Sequence, residues 1–166
     1  GCMDDEAASL CDNIQSIITG LEAEDIDVNF QIYGVGATPG GDFDCLTATV
    51  GEAVGTSIPG ITGGQGTLYD SCSSTGSEED WGRAVSALSA NYDWQPGNIP
   101  LVVAVSDEGP YCGTPLNTSD QTAITNAISV ATLNKTIVST ILASGYNGST
   151  SGSTNVPTEQ YALDLA

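Results

Sequence analysis

Histidine is absent from these 166 residues and cations nearly so: Arg83 and Lys135 stand against 21 carboxylates, for a net charge of −19. Without histidine no Ser-His-Asp or Cys-His triad can be assembled, and the usual zinc sets lose their commonest nitrogen ligand. Without a basic surface there is little to neutralise phosphates, which argues against nucleic acid as a partner. A Walker lysine, a GxSxG elbow and a CxxC pair are missing, and the glycines of GVGATPG fail the GxGxxG spacing. No apolar run approaches the roughly 18 residues of a membrane span. Little remains from which to build an enzyme, and a non-catalytic role is expected.

What is present fits one soluble domain, since 166 residues with a hydrophobic share of 40% suffice to bury a core around one sheet. The acidic balance suits a solvated, self-repelling surface, divalent cations or basic partners. Five cysteines amid abundant Gly, Ser, Thr and Asn resemble an extracellular composition, with disulfides the expected use for most of the thiols and one left over. Asn117, Asn134 and Asn147 each open an Asn-x-Ser/Thr sequon, available for glycan on a secretory route. No signal peptide is present, and the composition favours a mature chain located outside the cell or on its surface.

Apolar residues Ala7, Leu10, Ile14, Ile17, Ile18 and Leu21 recur at helical spacing, predicting an amphipathic helix over 4–21 with acids at its N-terminus. Residues 26–35 alternate and carry β-branched and aromatic side chains, predicting a strand. Between 36 and 77 the chain is rich in Gly, Ser, Thr and Asp, with strand-like residues at 45–50 and a brief helix near 52–54. A second helix is expected over 78–92, through Trp81, Val85 and Leu88. The apolar run 99–106, IPLVVAVS, reads as a central strand buried on both faces. A third helix over 119–134, capped by Ser119 or Asp120, precedes a strand over 136–142.

This alternation implies an α/β fold with a mostly parallel central sheet flanked by helices. Residues 1–144 form the domain proper, 145–158 a flexible Gly/Ser/Thr linker, and 159–166 a terminal strand, EQYALDL, followed by Ala166.

Ligands in open parallel sheets sit beyond the carboxyl ends of the strands, where Asp107 follows VVAVS and Asp164 follows YAL. On these residues the chain resembles a von Willebrand factor A domain, whose metal-ion-dependent adhesion site begins strand, Asp-x-Ser-x-Ser, helix. Read head to tail, YALDLA followed by GCMDDEAASL reproduces that order, as if the motif were split between the termini. The resemblance extends over the first helix and strand, the GSEEDWGRAV loop and VVAVSDEG, and leaves 37–76 unmatched.

The resemblance implies a three-layer sheet with helices on both faces. Its first central strand is supplied by 159–166, either by circular permutation or from another copy. It implies a Mg or Ca ion held by Asp164, Asp107 and an acid standing for the loop threonine, Glu79 in the first instance or else Asp80. Two hydroxyl ligands are gone, because Ala166 and Cys2 replace the serines, so the site is either a depleted cation site or a dead one. A Cys2–Cys112 disulfide is an alternative clamp there, with Cys45–Cys72 as the second pair and Cys11 left over.

A sheet lacking a central strand exposes unpaired backbone, and something must fill the gap. The linker of 14 residues, at roughly 3.3 Å each, reaches across one domain or into the next. The expected function is an extracellular structural or adhesive subunit that self-assembles head to tail through its terminal strand, with Tyr161, Leu163 and Leu165 as the apolar row of that strand. The alternative is a monomeric, metal-dependent domain that binds a protein or surface ligand.

Overall fold

A computed structural model describes residues 4–35, 48, 55, 57–61, 80–106, 109–111 and 118–142. Their elements run in the order α1 (Asp4–Ala23), α2 (Trp81–Asn91), β1 (Leu101–Ser106), α3 (Thr118–Asn134) and β2 (Ile137–Leu142). The class is mixed α/β. The linker, the terminal strand and the brief helix expected near 52–54 lie outside the described residues.

Helix α1 follows the apolar stripe seen in the sequence and buries Ile14 while leaving Ile17 exposed. It ends in a Schellman turn: Ile26 N–H reaches Leu21 O at 3.0 Å and Asp25 N–H reaches Glu22 O at 3.0 Å, with Asp25 left-handed at φ 59°. Helix α3 ends the same way. Thr136 N–H reaches Ala131 O at 2.9 Å and Lys135 sits at φ 57°. Neither position carries the glycine that would adopt this backbone without steric cost.

Between α2 and β1 the chain turns at Gln95–Pro96–Gly97–Asn98. Asn98 N–H bonds to Gln95 O at 3.1 Å, and Gly97 takes φ 94°, the conformation a type II turn demands at its third residue.

Strands β1 and β2 pair in parallel, Leu101 opposite Ile137 through Ser106 opposite Leu142, with α3 as the crossover. Helices α2 and α3 pack on each other and on one face of this pair. The core there joins Trp81 and Val85 of α2 to Val102, Ile124, Ala127, Ala131 and Val138. Alanines at 123, 127 and 131 allow the close approach of α3, because their side chains add almost no bulk at the contact.

Three sequence expectations need correction. Among the described residues 26–35 join no ladder, and they show an isolated parallel bridge from Tyr33 to Gly55. Alternation makes a segment extended, but a strand exists only where a neighbour bonds to it. Ala48, the described residue of the expected 45–50 strand, is helical.

The third correction concerns β1, which is not buried on both faces. Val102 and Ser106 are buried beneath the helices, while Leu101 and Val103 on the other face are 50% and 46% exposed. A continuous apolar run masks the strand's two-residue period, so burial of one row could not be told from burial of both.

Candidate functional site

The open face of the sheet is one candidate. Side chains alternate across a strand, so Leu101 and Val103 share a face, and the register places Ile137 and Ile141 of β2 beside them. Ile137 is 54% exposed and Ile141 46%. Apolar side chains half exposed in one row on a parallel pair are unusual, because such sheets are ordinarily covered on both faces.

The second candidate lies where the N-termini of α2 and α3 meet the segment after β1. Asp80 caps α2: its Oδ1 accepts from the Arg83 backbone N–H at 3.3 Å, and its Oδ2 lies 3.4 Å from Arg83 Nη1. The Asp80 carboxyl is fully buried, and that desolvation pushes its pKa up to about 6. Arg83 pulls the other way and Asp120 adds to the rise. Desolvation wins because both contacts with Arg83 are long and the guanidinium is partly exposed to water.

Asp120, expected as a cap, lies inside the first turn of α3 and is fully buried. Its Oδ1 accepts from Tyr111 N–H at 3.2 Å. Gly82 N–H donates to Pro110 O at 2.9 Å, an approach that a side chain would block, since a Cβ on Gly82 would stand 2.9 Å from the same oxygen. The segment 109–111 is thereby tied to both helices just past the carboxyl end of β1. The acids are visible in the sequence, but their burial is not: a carboxylate opening a helix is ordinarily a solvated cap.

A third cluster is aromatic. Tyr33 meets Tyr92 edge to face at 6.4 Å between ring centres, and Tyr92 meets Trp94 at 4.5 Å. Burial, with Tyr92 nearby, raises the Tyr33 pKa. The Tyr33 ring also lies over Gly55, where a Cβ would collide with it.

Of the residues singled out from the sequence, Asp107, Glu79 and Asp164 lie outside the described residues, as do Tyr161, Leu163 and Leu165 of the terminal strand and Asn117 and Asn147. Among the described residues no three acidic or cysteine side chains gather as a metal site. Asn134 is exposed at the end of α3, with its side-chain amide donating to Val130 O at 2.9 Å.

Cys11 is disulfide-bonded, so the pairing that leaves it over does not hold. Cys2, Cys45, Cys72 and Cys112 lie outside the described residues. Whichever of them bonds Cys11, at most one of the pairs Cys2–Cys112 and Cys45–Cys72 can form. Spacing alone carries no information on connectivity.

Among the described residues no helix is long and apolar enough to cross a membrane. No family model matches the chain, and comparison with curated proteins and with solved structures returns no match.

Proposed function

We propose that the chain is an extracellular structural or adhesive subunit. In this reading it is a three-layer, von Willebrand factor A-like domain that joins copies of itself through the strand 159–166. The observation that carries this reading is the half-exposed apolar face of the β1–β2 pair. Strand β1 ladders with β2 alone among the described residues, and one face of the pair keeps Leu101, Val103, Ile137 and Ile141 half exposed. A strand added to an open edge contributes backbone hydrogen bonds, and one copy adding to the next in a contact that does not close yields a filament. The Cys11 disulfide supports an oxidising, exterior location.

The test is multi-angle light scattering on the full chain across a concentration series, beside Leu163→Asp. The wild-type chain should form multimers that grow with concentration, and the variant should stay monomeric. Wild-type monomers at the highest concentration would refute assembly.

A further inference from the structure

Three side-chain polar atoms are buried with no hydrogen-bond partner in the protein: Ser89 Oγ on α2, Trp94 Nε1 just beyond that helix, and Thr136 Oγ1 just before β2. Ser89 is 2% exposed and Thr136 8%. A hydroxyl or indole N–H taken out of water without a new partner destabilises the fold, and buried polar groups of native proteins are bonded either to protein or to ordered water.

The topology brings the three to one end of the core. Helices α2 and α3 pack on each other and run in the same direction, with both N-termini tied to residues 110 and 111. Near that end Gly82 faces Ala123, where a Cβ on the glycine would stand 3.1 Å from the alanine's. About two turns further on, the same faces of the two helices carry Ser89 and Ala131, the latter buried in the main core. Thr136 is bonded to that same Ala131, its N–H reaching Ala131 O at 2.9 Å. Alternation along the strand puts its side chain on the face of β2 that carries buried Val138. Trp94 packs against the cluster that holds Ala131 and Val138. It lies in the segment leading to Pro100, whose carbonyl accepts from Ile137 N–H at 2.9 Å.

We infer that one ordered water molecule is held among Ser89, Trp94 and Thr136, where α2 and α3 end and the strands begin. The indole N–H can only donate, whereas each hydroxyl can donate or accept. The occupant must therefore accept from Trp94 Nε1 and still donate, and it must be small, because both hydroxyls are closed to solvent. Water does both, taking the indole proton on its oxygen and giving its own two to Ser89 Oγ and Thr136 Oγ1. Three hydrogen bonds are the usual number for a buried water. The side chains that meet at this level, Ser89 and Ala131, are small, and a water needs little space between them. The bridge ties the end of α2 to the start of β2 and so fixes the helix over the strand.

NMR and urea unfolding test this on the full chain, 15N-labelled and made without glycosylation. The indole resonance of Trp94 is assigned by its loss in Trp94→Phe. The expected result is a cross-peak from water to the Trp94 indole proton, with the NOE sign of a water that tumbles with the protein, and its disappearance in Ser89→Ala and in Thr136→Val. Each substitution should lower the urea midpoint. Ser89→Ala is read against Ser129→Ala on the exposed face of α3, which carries the same gain in helix propensity. The double variant should fall by less than the two single losses together, because the first substitution already releases the water. No cross-peak in the wild-type chain would overturn the site. A cross-peak that survives both substitutions, or strictly additive losses, would overturn the sharing of one water. A midpoint that rises in either variant would mark an orphaned hydroxyl whose removal relieves the core, and would overturn the inference as well.

Discussion

Replacing Asp80 by asparagine isolates one buried charge. Asparagine still caps α2, because its side-chain oxygen can accept from the Arg83 N–H as the carboxylate does. What changes is the proton. The folded carboxyl titrates at about 6 against 3.8 for an ordinary aspartate. Between those values the folded state holds a proton that the unfolded state has released, so stability falls as pH rises through the window and is flat above it. At 1.36 kcal/mol per pH unit, a shift of about two units amounts to roughly 3 kcal/mol. Urea unfolding of both chains at pH 4, 5, 6, 7 and 8, at constant ionic strength, measures it. The other carboxylates titrate in both chains and cancel in the difference. The wild-type chain should lose about 2 kcal/mol of that relative to the asparagine variant between pH 4 and pH 7, because at pH 4 the unfolded carboxyl is already partly ionised. Parallel profiles would refute the claim that burial outweighs Arg83. A wild-type chain gaining on the variant as pH rises would reverse its sign.

Two further substitutions probe the packing that carries the site. Lys135→Gly relieves the left-handed backbone at the end of α3 and should stabilise the fold by about 0.5–1 kcal/mol, read as a shift of the urea midpoint. Ala127→Leu forces a larger side chain between α3 and the sheet at a position with no exposed surface. It should cost about 1–3 kcal/mol, measured by thermal unfolding, and a neutral result would show that the core is looser than its burial implies.

The elements with long, regular patterns were legible in advance: α1, α2 and α3 and both paired strands lie within a few residues of their expected places. Local periodicity and capping chemistry dictate such elements before any tertiary contact forms. The segment 26–35 shows the limit. Its alternation is as regular as that of any strand, yet among the described residues it forms no ladder and shows one isolated bridge, at Tyr33. The candidate site was less legible than the fold. Leu101 and Val103 read as core, Asp120 as a helix cap and Asp80 as an alternative cation ligand, whereas the structure half exposes the first two and buries both acids.

The sequence by itself determined the α/β alternation, the acidic surface, and the absence of any histidine-based chemistry, because each depends only on which residues occur and at what spacing. Tertiary structure alone decided which face of β1 is covered, which carboxylates lose their water, and that Cys11 is paired. Those outcomes turn on what lies opposite a side chain. A helix laid over one row of β1 and not the other makes its two apolar rows, indistinguishable in the sequence, into a core and an open surface.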